Sequence, residues 1–311
     1  MKYVVRKIAV MTVTILVVSF LVFLAFAVIP GDPALSKLGT QATPESLEQL
    51  REEMGLNHPL PVRFAYWAAD FLKGDMGTSY SYQMPVTQMI GEKIPITLTM
   101  TVMAFVMMVF FSVILGIHTA KHAGGWLDRI IYVCNQIIMA VPPFFSGILI
   151  SWLFGLVLHF FTPGSYVSYQ EDLSGFLQYL IFPAAAIALP KCAMAAKLLR
   201  ASLIEEMGKD YIRTAFSRGN TINGVFYAHA LKNALIPVIT FWGMALADML
   251  AGSIIIEQVF GIPGIGRILL SSISNRDYPV VQAIIVLIAV WVIVTNTLVD
   301  VIYKIIDPRI R

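Results

Sequence analysis

A short run of charged and aromatic residues interrupts the apolar second half of this 311-residue chain. It extends from Glu205 to Gly219 in a mixed-charge helical pattern and ends at a predicted turn, Gly219-Asn220. A second short helix is predicted from about Ile222 to Asn233. Aromatic side chains recur in both helices, and an apolar patch rimmed by charge is typical of a protein contact. The pattern equally allows these aromatics to fold back on neighbouring helices.

A carboxylate, Asp248, lies in the middle of a later apolar run. An ionisable residue inside a membrane is by default a functional candidate. Asp248 could line a substrate path and attract an ammonium group or a metal complex, or it could form a structural hydrogen bond to a neighbouring helix. Gly243, Ala247 and Ala251 recur every four residues and predict close helix packing beside it. Lys191 follows a proline in another apolar run and is predicted to extend its amine towards the membrane surface.

The composition indicates that lipid, rather than water, covers much of the surface of this chain. It is 58% hydrophobic and 13% charged, with a mean hydropathy of +0.75, whereas a soluble domain has about 25% charged residues. These values argue against a soluble enzyme. The formal net charge of +3 is too small to indicate a nucleic-acid partner. The two cysteines and five histidines form no spacing typical of a metal site.

Six apolar stretches meet the length of about 20 residues that a bilayer core of about 30 Å requires. The first resembles a signal peptide ending at Ala25-Phe26-Ala27, but its length favours a retained span. The sequence therefore predicts an all-α polytopic membrane protein with six transmembrane helices. The stretches run from about Ile8 to Ile29, Ile96 to Ile117, Ile130 to Phe154, Phe176 to Ala196, Leu235 to Ile256 and Val280 to Ile302.

Three segments are expected: residues 1–29 with the first span, an external segment 30–94, and a five-span core 95–311 that includes a cytoplasmic loop, 200–235. The external segment is too polar to cross a membrane. Thr43 before Pro44 predicts a helix start, and Gly55 predicts its end. Leu47, Leu50 and Met54 recur at helical spacing, so this helix is expected to be amphipathic.

The distribution of basic residues predicts the orientation of the spans. Lys and Arg are concentrated at both termini, between the second and third spans, and between the fourth and fifth spans. The loop between the third and fourth spans, about residues 159–175, has neither. Because basic loops remain in the cytoplasm, both termini are expected there, as an even number of spans requires.

Several motifs together resemble the permease subunits of the peptide/nickel branch of ABC importers. Residues 210–215, Gly219 and residues 229–240 are similar to the conserved cytoplasmic loop of that family. The resemblance covers essentially the whole chain. The other matching stretches are Ile29–Pro33, Gly74–Ser79, Ala140–Phe145, Glu257–Arg267, Asn275–Gln282 and Asp307–Arg311.

The resemblance implies the type I ABC importer permease fold in a bacterial plasma (inner) membrane. It implies a second homologous permease subunit, two ATPase subunits and an extracellular or periplasmic substrate-binding protein as partners. The loop would couple the spans to the ATPase subunits, which would bind ATP and Mg²⁺, while this chain would bind no cofactor. The coupling candidates are Glu205, Gly208, Asp210, Tyr211, Arg213, Ala215, Phe216, Gly219, Phe226 and His229.

The loop departs from the superfamily pattern at one place, and this departure points to the peptide/nickel branch. In the wider superfamily this loop begins Glu-Ala-Ala, where the chain has Arg213-Thr214-Ala215. The peptide/nickel branch tolerates that change, so the coupling role is still expected. The chain has no G-x-x-x-x-G-K-[S/T] nucleotide motif, which is consistent with ATP hydrolysis on another chain.

The cargo is left open between di- or oligopeptides and nickel or a metal–chelator complex. An ion-driven secondary transporter is a different class, and it predicts internal repeats that are not found here. A membrane scaffold without transport would not explain the polar residues within the spans.

Overall fold

The computed structural model describes residues 2–28, 33–38, 43–53 and 55–306, and confirms the all-α class. The first helices are α1 (Lys2–Val28), α2 (Pro33–Leu38), α3 (Pro44–Glu53), α4 (Leu60–Leu72), α5 (Val86–Gly91), α6 (Ile94–Lys121), α7 (Trp126–Ala140) and α8 (Pro143–Ile150). They are followed by α9 (Leu173–Met207), α10 (Asp210–Ser217), α11 (Ile222–Val225), α12 (Leu231–Phe260), α13 (Ile265–Ser274) and α14 (Tyr278–Ile306). Two π-helical stretches, Ser151–Val157 and Phe226–Ala230, continue α8 and α11.

Five helical runs are long and apolar enough to cross a membrane, and a bent pair brings the number to six among the described residues. These positions confirm the predicted spans, although Ile29, the predicted end of the first, lies outside the described residues. The fourth helix, α9, is 35 residues long and so extends well beyond the predicted stretch. The five runs are Val5–Val28, Val86–Lys121, Leu173–Met207, Ile222–Phe260 and Tyr278–Val301.

The third predicted span is a broken helix, which the sequence analysis did not anticipate. Its two parts, Trp126–Ala140 and Pro143–Val157, are bent by 107°. Val141 and Pro142 adopt extended backbone angles, because a residue that precedes proline is sterically excluded from the helical region. Pro143 then starts α8, since proline is well suited to the first helical position.

Chain contacts define two compact units. The first comprises segments 1–97 and 263–294. In it, α4 packs against α1 through aromatic rings, with Phe20 and Phe64 centroids 5.1 Å apart. The predicted start of α3 is confirmed, because Ser46 N donates to Thr43 Oγ1 at 3.2 Å. Gly55 has φ +63°, as its predicted role in ending the helix requires; Met54 lies outside the described residues.

The second unit comprises segments 98–262 and 295–311, of which residues up to 306 are described. Its centre is the pairing of α9 with α12. Tyr179 of α9 donates its hydroxyl to the carbonyl of Phe260, at the end of α12, at 2.6 Å. The predicted small-residue face is confirmed in part, since Gly243 and Ala247 are buried while Ala251 is exposed. The Cα of Gly243 packs against Val299 of α14 so closely that it leaves no room for a side chain.

Candidate functional site

The coupling segment, residues 200–235, begins inside α9 and forms a sharp corner. The sequence predicts one helix from Glu205 to the turn at Gly219, but the structure divides this region. Here α9 ends at Met207 and α10 begins at Asp210. Lys209 adopts an extended conformation between them, with ψ 153°. Glu205 therefore belongs to the end of α9, and Gly208 is the residue at which that helix stops.

Glu206, which the sequence analysis did not single out, is buried and organises this corner. Its carboxylate accepts hydrogen bonds from Lys209 Nζ and from the hydroxyl of Tyr211, the latter at 2.5 Å. Asn233 Nδ2 donates to the same hydroxyl at 3.0 Å. The Glu206 carboxylate raises the pKa of Lys209. Burial, reinforced by the hydrogen bond to Glu206, raises the pKa of Tyr211. Both groups therefore keep their protons at neutral pH, and the corner has one fixed pattern of donors and acceptors.

One face of the segment packs against α9. Ile212 and Ala215 of α10 join Phe226 in a buried cluster with Leu199 and Leu203. Of the two arrangements that the sequence allows for the aromatics, Phe226 takes the one in which the ring folds back on neighbouring helices, because its side chain is only 4% accessible. Phe226 and Ala215 thus contribute to holding the segment on α9 rather than to its outer surface.

The opposite face carries apolar side chains that are open to solvent. Phe216 and Tyr211 are each 37% accessible, and Tyr227 is half exposed. Ile222, which the sequence analysis named only as a helix start, is 68% accessible. This face also has charged and polar neighbours. Arg213 and Asp210 form an exposed ion pair at 3.6 Å, and three further polar side chains are exposed: Arg218, Lys232 and His229. An apolar surface with charged neighbours is typical of a protein interface.

The turn between α10 and α11 is built from the predicted residues. Gly219 has φ +83°, a conformation that L side chains rarely adopt. Asn220 Nδ2 donates to the carbonyl of Ala215 at 3.0 Å. Thr221 Oγ1 accepts from Gly224 N at 3.2 Å and caps α11. The turn therefore has a defined geometry.

Lys121, at the end of α6, contacts the second half of the coupling segment. Its Nζ lies 4.3 Å from the ring centroid of Tyr227 and donates to Asn223 Oδ1 at 3.0 Å. A cation over an aromatic face is attracted by the ring quadrupole. Lys121 thus ties the coupling segment to a second helix of the unit.

Arg200 anchors the beginning of the segment. Its guanidinium donates two hydrogen bonds to Asp128 of α7, at 2.6 and 2.7 Å. Gly124 N donates to the same carboxylate at 2.9 Å. The Asp128 side chain is only 4% accessible, and two parallel bonds fix the relative orientation of the two groups. Through Arg200 the segment is joined to the bent third span.

Asp248 is exposed on α12 and has a charged partner. Its side chain is 66% accessible, and Lys191 Nζ of α9 donates to it at 2.8 Å. The prediction that Lys191 extends towards the membrane surface is wrong, because this carboxylate draws its amine across to α12. Met244 and Ile255 are also exposed on α12. A carboxylate within an apolar span must face water or protein rather than lipid.

Comparison with known proteins identifies the family. The family model of the binding-protein-dependent transport system inner membrane component matches residues 112–311. The model of the N-terminal part of such membrane components matches residues 1–101. The chain belongs to this family. It is a multi-pass membrane protein of the binding-protein-dependent transport systems, as its apolar helices indicate.

Curated relatives match this family member over nearly its whole length. A probable peptide ABC transporter permease protein of Sinorhizobium fredii is 35% identical, over 99% of both chains. A glutathione transport system permease protein of Pectobacterium atrosepticum is 36% identical, over 100% of this chain and 99% of the relative. A dipeptide transport system permease protein of Alkalihalophilus pseudofirmus is 32% identical, over 99% of both chains.

Proposed function

We propose that this permease is one of two homologous membrane subunits that form the translocation path of an ATP-driven importer for di- and oligopeptides. The observation that supports this cargo is the full-length similarity to permeases named for peptide, dipeptide and glutathione transport. A substrate-binding protein delivers the cargo from outside the bacterial inner membrane. Both termini and the coupling segment lie in the cytoplasm, in agreement with the distribution of Lys and Arg.

The coupling segment docks on a separate ATPase subunit. The surface formed by Phe216, Ile222 and Tyr227 is exposed, while the opposite face of the segment is packed on α9. Two ATPase subunits bind ATP and Mg²⁺, and their closure displaces the two coupling segments of the importer. ATP binding thereby shifts the equilibrium between outward- and inward-facing states of the spans.

Gly219→Val tests the docking role. A β-branched residue at φ +83° strains the turn by about 1–3 kcal/mol, although a Cβ at Gly219 would meet no atom within 4 Å. We expect ATP-driven peptide uptake by the reconstituted importer to fall at least about tenfold, with ATPase activity no longer linked to transport. The spans themselves should remain folded, as judged by thermal unfolding.

Gly164→Val is the matched control for this experiment. Gly164 has φ +84°, a Cβ there would also meet no atom within 4 Å, and it lies outside the coupling segment. It should cause similar strain and leave coupling intact. Equal uptake by the two variants would remove the support for docking through this turn.

The Lys191–Asp248 pair lines the translocation path and contacts peptide termini. Asp248 is sufficiently exposed to exchange its lysine partner for the ammonium group of a passing peptide. Every unmodified peptide carries that group, so such a contact suits cargo of varied sequence.

Asp248→Asn should lower uptake of peptides with a free amino terminus by roughly five- to tenfold and reduce discrimination against N-acetylated peptides. Uptake of both classes is measured in the same vesicles. Asp210→Asn, an exposed carboxylate of the coupling segment, is the control for the loss of one charge and should keep the discrimination. Unchanged uptake together with a lower unfolding temperature in Asp248→Asn would assign the pair a purely structural role.

A further inference from the structure

A cavity of about 850 Å³ is lined, among the described residues, by side chains and backbone of the first unit alone. Its described walls are the ends of α1 and α3, the loop after α3, one side of α4, the loop after α4 and the first turns of α14. Ligand sites of proteins have volumes of about 300–1,000 Å³ and combine an apolar wall with a few polar groups. The cavity therefore has the size of a small-molecule site.

One side of α4 provides charges at two ends and aromatic rings between them. Arg63, Tyr66, Trp67 and Asp70 all line the cavity and follow the i, i+3, i+4, i+7 spacing of a single helix face. Seven residues of α-helix separate Arg63 from Asp70 along the axis by about 10 Å. Trp67 is held in place by Phe23 of α1, with ring centroids 5.8 Å apart.

The charged groups at both ends are accessible to a ligand. Arg63 stacks over the ring of Phe23 at 5.9 Å and forms no ion pair with another described residue. Asp70 is paired with Lys73 at 3.1 Å, and both side chains are more than half exposed. A pair of this kind is weak in water, so an incoming ammonium group can replace Lys73.

Gln282 of α14 adds an unused donor. Its side chain is 9% accessible and lines the cavity, and its buried Nε2 has no hydrogen-bond partner within the described part of the chain. A buried polar group without a partner is rare in folded proteins. A carbonyl or carboxylate oxygen of a ligand in the cavity would satisfy it.

The loop after α4 is held by hydrogen bonds to Asp277. Asp277 accepts hydrogen bonds from Ser79 Oγ, from Tyr80 N at 2.9 Å and from Ser81 N at 3.2 Å. Burial, together with the nearby Asp277 carboxylate, raises the pKa of Tyr80 to about 12. The Tyr80 phenol, which also lines the cavity, therefore stays neutral at physiological pH.

We propose that this cavity binds a short zwitterionic peptide of about three residues, with its carboxylate at Arg63 and its ammonium group at Asp70. An extended chain advances about 3.3–3.6 Å per residue, so three residues match the axial rise of about 10 Å between helix positions 63 and 70. Tyr66 and Trp67 cover the middle of the peptide, and Gln282 donates to one of its oxygens. The inference rests on the proposed peptide importer, to which it adds a second peptide site, formed by residues of the first unit rather than by the Lys191–Asp248 pair.

Equilibrium dialysis of radiolabelled trialanine against the full chain, reconstituted in phosphatidylcholine nanodiscs, tests this site. We expect saturable binding with one peptide per chain. Asp70→Asn and Arg63→Gln should each weaken it by roughly five- to tenfold. Asp70 is exposed, so its variant should fold even if Arg63→Gln does not. Lys73→Gln, which removes the competing cation, should bind at least as tightly as the parent chain.

Further measurements distinguish a peptide from other ligands and this cavity from other binding sites. N-acetyl-trialanine amide, which lacks both charges, should compete at least about tenfold less well than trialanine. Glycerophosphoethanolamine should also compete poorly, and equal competition would make this a lipid-headgroup site and overturn the proposal. Loss of binding in Asp248→Asn but not in Asp70→Asn would place the peptide in the translocation path and likewise overturn it.

The importer itself is tested separately. Absence of saturable binding while the complete complex still imports peptides with ATP overturns only the cavity site. Absence of ATP-driven peptide uptake by the complete complex overturns the proposed function, whatever the dialysis shows.

Discussion

At the scale of single residues, the contact between Asp128 and Arg200 illustrates how the coupling segment is anchored. Asp128 accepts three hydrogen bonds, two from Arg200 and one from Gly124 N. A buried carboxylate with these partners is stable, but the same group without its cation is strongly unfavourable. The stability of this end of the segment therefore depends on Arg200.

Arg200→Met should lower the free energy of unfolding by about 3 kcal/mol, because it leaves the Asp128 carboxylate buried without its cation. Thermal unfolding of the purified chain in nanodiscs measures the effect. Arg213→Met removes an exposed partner of Asp210 and should change stability by less than about 1 kcal/mol. Adding Asp128→Leu to Arg200→Met should recover much of the loss. Equal effects of the two arginine variants would show that burial of Asp128 is unimportant.

The ion pairs between residues far apart in the chain could not be predicted from the sequence. Asp128 and Arg200 are 72 residues apart, and Lys191 and Asp248 are 57 apart. No local pattern links residues at such separations, so the sequence predicts neither the Lys191–Asp248 pair nor the contact between Asp128 and Arg200. Gly219 and Thr43 were predicted correctly because turns and helix caps depend on a few consecutive residues.

At the scale of helices, α12 packs closely against α14 because Gly243 has no side chain. A Cβ on Gly243 would lie 2.1 Å from Val299 Cγ2, well inside van der Waals contact. The backbones of the two helices can therefore approach each other at this point, as small residues allow in membrane proteins.

Gly243→Ala should destabilise the chain by about 1–3 kcal/mol through overpacking, measured as a lower unfolding temperature. Val299→Ala in the same chain should restore most of the loss, because it removes the methyl groups that clash. Gly252→Ala, on the same helix with no atom within 4 Å of the new Cβ, should be neutral or stabilising by up to about 1 kcal/mol. If Gly243→Ala and Gly252→Ala behave alike, the close approach is not important for stability.

Helix positions were predictable to the extent that they depend on hydropathy. Six apolar stretches were enough to locate the spans, since length and composition are local properties. The 107° bend lies at Val141 and Pro142, where local proline sterics break the helix. Hydropathy alone does not report such a break, and the broken third span was therefore missed. The division at Gly208 was also missed, although the Lys209 and Tyr211 side chains that bind Glu206 lie only three and five residues after it.

At the scale of the whole molecule, the uneven distribution of Lys and Arg supports the proposed orientation of the spans in the membrane. Ser217 lies in the coupling segment and Ser174 at the start of α9, and both are exposed. The 35 residues of α9 are more than enough to cross a bilayer, so positions near its two ends belong on opposite sides.

Cysteine labelling in intact cells should place these two positions on opposite sides of the membrane. With Cys134 and Cys192 replaced by alanine, Ser174→Cys should react with an impermeant maleimide from outside. Ser217→Cys should react only after the membrane is permeabilised. The double-alanine chain without added cysteine is the control for background labelling. Labelling of Ser217→Cys in sealed cells would reverse the proposed orientation.

The length of α9 has a mechanical consequence. A helix of 35 residues is about 52 Å long, and it carries Tyr179 near one end, Lys191 near its middle and Arg200 and Glu206 towards the other. Pro190, next to Lys191, removes a backbone hydrogen bond near the middle of α9. A change in bend of about 5° at this point would shift an end of the helix by roughly 2 Å. A displacement of that size at the corner around Glu206 would break or make hydrogen bonds at the Tyr179 end. The helix would then bend beside the Lys191–Asp248 pair. The displacement is smallest there, so the ion pair can persist during the conformational change.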